Sequence, residues 1–123
     1  MILSINHIQL VAEKDLVIQL RDFYCNVVGS TEGFRPAFER FGFWLYINDK
    51  DVVHLITPKE GDDRSPHKSS YDHVAFKAGD YEGVLKKLKT LNISFEEKPI
   101  PGMSAHQIFL RDPAGNRVEL NFD

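Results

Sequence analysis

The chain has 123 residues, of which 42% are hydrophobic, so it is long enough to bury one compact core without disulfides. Its net charge of −3 offers no broad basic surface for a phosphate backbone, which argues against a nucleic-acid partner. The sequence has no apolar stretch of membrane-spanning length, no secretion signal and a single cysteine, Cys25. We therefore expect a cytoplasmic protein with no membrane partner.

The predicted elements begin with a strand, INHIQLVA, that recurs past the middle of the chain as YDHVAFKA. The histidines of these two segments are His7 and His73. An amphipathic helix is predicted after each strand, with Asp15 and Asp80 as N-caps at nearly the same spacing as the two histidines. Three more strands follow each helix, STEGFRP, FWLYI and DVVHLIT in the first half and ISFEEKP, HQIFLR and NRVELNF in the second.

Each half of the chain therefore predicts a βαβββ module. We treat residues 1–123 as a single α+β domain, with module one at about 1–58, a polar linker at about 59–70 and module two at about 71–123. The linker, PKEGDDRSPHKSS, is rich in turn-forming residues. Two tandem modules of this kind can curl their sheets toward each other into a cupped mixed sheet around a metal site.

Four ligand-type side chains recur on the sheet face opposite the helices. Period-two alternation along the strands places His7, His54, His73 and Glu119 on that face. His54 and Glu119 are also repeat partners, because their spacing equals that of the two predicted N-caps. Imidazoles and a carboxylate with open positions suit a divalent transition metal, which could be Zn, Ni, Co, Mn or Fe. The alternative is a polar sheet face that contacts only solvent.

Other side chains on or beside this face are candidates for binding a small-molecule substrate. Some are polar, some are aromatic residues that could form apolar walls, and one is a histidine at a strand end. Most of the aromatic residues could equally belong to the core. The candidates are Gln9, Trp44, Lys77, His106, Phe109 and Arg117.

The paired modules, with the segments NHIQL, DHVAF and QIFLRDPAGNRVEL, resemble the vicinal oxygen chelate superfamily. This superfamily includes glyoxalase I, extradiol ring-cleaving dioxygenases and bleomycin-resistance binding proteins. The resemblance covers essentially the whole chain, and its most specific part is DPAGNRVEL, which matches the family pattern at Asp112, Pro113, Gly115 and Glu119.

The resemblance implies roles for the four recurring side chains. His7, His73 and Glu119 match the metal ligands of the family. His54 falls where glyoxalase I has a fourth ligand, usually glutamate, and near the acid–base histidine of ring-cleaving dioxygenases. We expect His54 to be a ligand, with an acid–base role as the alternative.

The implied function is that of a metal-dependent glyoxalase-like lyase or isomerase acting on a small substrate with vicinal oxygens. Glu119 or His54 would move the proton. The first alternative is an Fe(II) extradiol-type dioxygenase, which Phe109 disfavours because it stands where that family has a tyrosine. The second is a non-enzymatic protein that binds antibiotic-like molecules. Chains of this length in the family usually pair, so we expect a homodimer.

Overall fold

The computed structural model describes residues 1, 3, 5–62, 73–99 and 106–122. The chain divides into two compact units, Met1–Ser65 and Pro66–Asp123, which contain modules one and two. Most of the predicted linker, residues 63–70, lies outside the described residues. Among the helices that are described, none has the length and apolar character needed to cross a membrane.

Both modules have the predicted βαβββ order, and in each the first strand pairs in parallel with the last. The sheet orders are β1-β4-β3-β2 and β5-β8-β7-β6. These two four-stranded mixed sheets, each with one helix, confirm the predicted tandem fold. The elements of module one are β1 Ile8–Val11, α1 Lys14–Phe23 with its π-helical continuation Tyr24–Val28, β2 Thr31–Gly33, β3 Gly42–Ile47 and β4 Lys50–Ile56. Those of module two are β5 His73–Ala78, α2 Tyr81–Thr90, β6 Phe95–Pro99, β7 His106–Arg111 and β8 Arg117–Phe122.

The repeat holds at the level of strand register. His54 in β4 and Glu119 in β8 each lie between one parallel and one antiparallel partner strand. The residues that pair with them are Gln9 and Trp44 for His54, and Ala75 and Phe109 for Glu119. Because these partners are themselves related by the repeat spacing, His54 and Glu119 occupy equivalent positions in the two modules.

The two helices begin differently. Asp80 is the N-cap of α2, and its Oδ1 accepts a hydrogen bond from the Gly83 amide at 3.2 Å, as predicted. The prediction for Asp15 was wrong, because α1 begins two residues earlier than expected and its N-cap is Glu13, without a side-chain hydrogen bond. Asp15 lies instead in the first helical turn, where a carboxylate is stabilised by the helix dipole.

The helices also contribute unequally to the two cores. Three residues of α1 are buried, and this helix packs on β3 and β4. Leu88 alone is buried in α2, whose Tyr81 ring also contacts Phe122 edge-on at 5.2 Å. In both modules this leaves the opposite sheet face, which carries His54 or Glu119, free of its own helix.

Candidate metal and substrate site

Module two brings His73 and Glu119 together on the sheet face opposite α2. The Nε2 atom of His73 lies 2.9 Å from Oε2 of Glu119. The Glu119 side chain is buried, whereas about a third of the His73 side chain is exposed. The sequence prediction that these two side chains share one face is thus reproduced as a close contact.

The Glu119 carboxylate is held in place by two amides. Its Oε1 accepts hydrogen bonds from Gln107 Nε2 at 2.6 Å and from Asn121 Nδ2 at 3.1 Å. Both partners lie on the same sheet face as Glu119, one on the adjacent strand and one two residues along β8. The two amides therefore fix the orientation of the carboxylate.

The turn between β7 and β8 sets the position of Glu119. The buried carboxylate of Asp112 accepts hydrogen bonds from the Ala114 and Asn116 amides, both at 2.9 Å, and from the Asn116 side chain at 2.9 Å. Gly115 has φ of +85°, a left-handed conformation that favours glycine. The DPAGN segment is therefore a hydrogen-bonded turn from which β8 begins in a fixed register.

The donors in module two fit a divalent metal. Adjacent ligand atoms on one ion, at bonds of about 2.1 Å, lie about 3 Å apart, and the His73–Glu119 separation is 2.9 Å. Imidazole and carboxylate are commonly combined as metal ligands, and a ligating carboxylate usually has hydrogen-bonded partners of its own. Within the described parts of each module, no three His, Cys, Asp or Glu side chains approach closely enough to share one ion. Module two thus brings together one pair of ligand-type side chains.

In module one, His54 is enclosed by aromatic rings. Its ring stacks on His7 with a centroid distance of 3.9 Å and on Trp44 at 4.2 Å, with interplanar angles of 16° and 6°. His54 is buried, whereas His7 is exposed and lies one residue before β1 instead of within the predicted strand. The stack brings His7 and His54 together, as the alternation pattern predicted.

Asp51 is a site residue that the sequence analysis missed. The Nε2 atom of His54 lies 2.7 Å from Asp51 Oδ2, and this hydrogen bond lowers the pKa of the Asp51 carboxyl. Residues three apart on a regular strand lie on opposite faces. Here the pairing with β3 skips Val52, which forms a bulge and turns Asp51 onto the face of His54.

A cavity of about 460 Å³ lies beside this stack in module one. Its walls include Gln9, Trp44 and His54, so these three predicted site residues are brought together. The loop between β2 and β3 contributes further lining residues, among them Arg35 and Arg40, which the sequence analysis did not single out. A volume of this size suits a small-molecule ligand.

The remaining predicted substrate residues all lie in module two. Lys77, Phe109 and Arg117 share the sheet face of Glu119, and the Arg117 guanidinium lies 4.2 Å from the Phe109 ring centroid. His106 is not on this face. It projects to the side of α2, where its ring stacks on Tyr81 at 4.5 Å, because the alternation along β7 places it with the buried Ile108.

The sequence matches the model of the Glyoxalase/Bleomycin resistance protein/Dioxygenase superfamily over residues 4–120. The chain therefore belongs to this superfamily, as the motif around Glu119 predicted. No curated protein sequence matches it.

Several solved structures share the fold. A protein described as a glyoxalase family member from Bacillus anthracis has a TM-score of 0.78 and 21% identity, with 100% of this chain and 97% of that one covered. Lactoylglutathione lyase from Agrobacterium tumefaciens has a TM-score of 0.69 and 21% identity, with coverages of 97% and 92%. A variant of the fosfomycin resistance protein FosX from Listeria monocytogenes, complexed with Mn(II) and 1S,2S-dihydroxypropylphosphonic acid, has a TM-score of 0.70 and 18% identity, with coverages of 98% and 92%.

Proposed function

We propose that this chain is a metal-dependent glyoxalase-like lyase or isomerase that acts on a small substrate with two neighbouring oxygens. The observation that carries the proposal is the contact between His73 and Glu119, which offers a buried, oriented carboxylate and an imidazole at the spacing of adjacent metal ligands. With His7, these residues would hold a divalent transition metal. Such an ion, when bound, is a Lewis acid that stabilises negative charge developing on the substrate oxygens.

His54 is proposed to move the proton. Its Nε2–H donates to Asp51, so the remaining ring nitrogen, Nδ1, is the atom that can accept a proton from a substrate carbon and return it to the neighbouring carbon. Asp51 is a positioning residue, because its carboxylate fixes the tautomer and orientation of the imidazole. This contact favours the acid–base role of His54 over the ligand role that we expected from the sequence.

Glu119 is the other candidate for proton transfer. Its Oε1 already accepts hydrogen bonds from Gln107 and Asn121, and its Oε2 contacts His73. A carboxylate whose two oxygens are both already engaged is better placed to bind a metal than to reach a substrate carbon. We therefore assign Glu119 to holding the metal.

Two of the structural relatives support this class of chemistry. One carries the name of a lyase, and the other binds Mn(II) together with a phosphonate that has two neighbouring hydroxyl groups. The dioxygenase alternative has less support, since Phe109, which faces Glu119 across the β7–β8 pair, has no hydroxyl with which to hydrogen-bond a substrate oxygen.

The proposal is tested by turnover in D₂O. The purified chain is given Mn, Ni, Co, Zn or Fe(II) in turn, together with hemithioacetals of methylglyoxal and with α-hydroxycarbonyl compounds. We expect a metal-dependent isomerised product, with solvent deuterium on the carbon that receives the proton, detected by NMR. The exposed α2 variant Lys87→Ala serves as a control of unchanged activity. Oxygen consumption on a catechol with Fe(II), and no isomerisation with any metal, would instead establish the dioxygenase.

A further inference from the structure

Two arginines of module one lie in the cavity without a negatively charged partner. Arg35 and Arg40 belong to the loop between β2 and β3. Arg35 Nη2 donates to the backbone carbonyl of Arg40 at 2.9 Å, and Arg40 Nη1 donates to that of Thr57 at 3.0 Å. Across the described part of the chain, no carboxylate forms an ion pair with either guanidinium. Among the described residues, the two guanidiniums are thus held by neutral acceptors and form no ion pair.

Arg35 carries the clearest sign of a missing partner. Its Nε is buried and has no hydrogen-bond acceptor among the described residues. Burial, and then the positive charge of Arg40, lower the pKa of Arg35. A buried donor without an acceptor and two neighbouring like charges are both unfavourable. An anion bound beside the two guanidiniums would offset the repulsion between them.

The glycine that begins β3 makes room for Arg35. A Cβ at Gly42 would collide with the Leu55 carbonyl oxygen and would come within 3.1 Å of Arg35 Nη2. The equivalent residue in module two is Gln107, which pairs with Asn121 as Gly42 pairs with Ile56. Module two therefore uses this position to hold its own carboxylate, while module one leaves it open beside a guanidinium.

The rest of the cavity is suited to the body of a small molecule. The Arg35 guanidinium lies over the Phe38 ring at 5.0 Å, and Phe38 is tilted against Trp44 at 6.1 Å. Glu39, in the same loop, also lines the cavity but is exposed. The two arginines outnumber this one glutamate, so the cavity lining is positive although the whole chain has a net charge of −3. The positive charge is therefore a local feature of this cavity.

We propose that the module-one cavity binds a small anionic molecule, with a carboxylate, phosphonate or phosphate group between Arg35 and Arg40 and the remainder beside Trp44 and His54. Planar guanidiniums match the geometry of such oxyanions and bind them by charge-assisted hydrogen bonds. The inference deepens the proposed function, because it adds negative charge to the description of the substrate. The anion site itself requires no metal, so it can be tested separately.

Trp44 provides the measurement. It is the only tryptophan in the chain and it lines the cavity, so its fluorescence reports directly on occupancy. The full chain, dialysed against a chelator, is titrated with acetate, methylphosphonate and inorganic phosphate, with acetamide as the uncharged analogue of acetate. We expect saturable fluorescence changes with one or more of the anions and none with acetamide. The relative affinities of the three then distinguish a carboxylate from a phosphonate or phosphate head group.

Variants connect the signal to the two arginines. We expect Arg35→Gln and Arg40→Gln each to weaken anion binding at least about tenfold, since each loses charged hydrogen-bond donors. Arg35→Lys keeps the charge but not the planar fork, so its affinity should fall between those of Arg35→Gln and the unmodified chain. The matched control is Arg111→Gln, because Arg111 is exposed in module two and also donates to a backbone carbonyl, that of Gly115. Its affinity should not change.

Three results would overturn the inference. They are an equal response to acetamide and acetate, unchanged affinity in both glutamine variants, or saturation that appears only after metal is added and does not depend on the arginines. Circular dichroism confirms folding, and Arg35→Lys provides the test if a glutamine variant fails to fold. Anion binding without turnover would contradict the proposed function alone, whereas turnover without arginine-dependent anion binding would contradict only this inference.

Discussion

The two modules share one backbone plan but surround equivalent positions with different chemistry. In module one, His54 is stacked between His7 and Trp44 and hydrogen-bonds to Asp51. In module two, Glu119 contacts a histidine and two amides. A repeated fold thus gives two positions of the same geometry, and the neighbouring side chains determine their roles. One position holds an imidazole beside a carboxylate, and the other holds a carboxylate beside an imidazole and two amides.

A second pair of equivalent residues extends the contrast. Gln107 in module two donates to Glu119, whereas Gly42 in module one leaves space that the Arg35 guanidinium approaches. At this repeated position, the glutamine of module two contacts a carboxylate, whereas the glycine of module one lies beside a guanidinium. Module two carries the oriented Glu119 carboxylate on this face, and module one has Arg35 and Arg40 in its cavity. We therefore propose metal binding for module two and recognition of a substrate anion for module one.

The largest expected effect concerns His54. Replacing His54 by Ala should lower kcat by about 10²- to 10⁴-fold, because general acid–base catalysis contributes that much, while bound metal is retained. Steady-state kinetics and metal analysis of the same sample check both parts. Loss of the metal together with the activity would instead make His54 a ligand and remove the contrast between the modules.

The glycine of module one should be costly to replace. A Cβ at Gly42 would meet backbone of the neighbouring strand, so Gly42→Ala should lower the free energy of unfolding by about 2–3 kcal/mol. Gly79→Ala is the matched control, since nothing lies within 4 Å of a Cβ there, and we expect a change within about 0.5 kcal/mol. Urea unfolding of both variants measures the difference. Equal stabilities would show that strand β4 can move away from Gly42.

A smaller effect is expected for Asp51. Asp51→Asn keeps the shape of the side chain but loses the charge that orients His54, and it should lower kcat about tenfold with KM for the substrate and metal content unchanged. Separate measurement of kcat and KM distinguishes this outcome from a purely structural defect. Such a defect would change stability without a selective effect on kcat. An unchanged kcat would show that the imidazole is held by its aromatic stack alone.

The smallest effect compares the helix starts. Asp80→Ala removes a side-chain cap from α2 and should lower the free energy of unfolding by about 1 kcal/mol. Asp15→Ala removes only a first-turn carboxylate from α1 and should cost no more than about 0.5 kcal/mol. Denaturant unfolding of the two variants, measured side by side, tests whether the helices differ in this way. A larger loss for Asp15→Ala would contradict the assigned caps.

The sequence predicted those features that depend on regular period and spacing. Alternation along β5 and β8 was sufficient to place His73 and Glu119 on one face, and the constant spacing of the repeat predicted the equivalence of His54 and Glu119. Asp51 was missed because a bulge at Val52 interrupts the alternation. The Asn48–Asp49 pair, both with positive φ, is a hairpin signal that could have fixed the register nearby, although not the bulge itself.

The arginines of the cavity could not be predicted in the same way. Arg35 and Arg40 lie in a loop with no periodic pattern, and their positions depend on hydrogen bonds to backbone carbonyls that are distant in sequence or set by the loop itself. His106 shows the opposite case. It was a candidate as a histidine at a strand end, but strand alternation, applied to β7, places it against Tyr81.

Metal stoichiometry after dialysis tests the proposal that Glu119 is a metal ligand of this chain. The unmodified chain, Glu119→Gln and the exposed control Glu96→Gln are loaded with Mn(II) or Zn(II), dialysed together and analysed for metal, with circular dichroism to confirm folding. We expect the unmodified chain and Glu96→Gln to retain the ion. Glu119→Gln, which keeps its shape but loses the anionic ligand, should bind it at least about 100-fold more weakly. Equal metal content in all three folded proteins would contradict the claim.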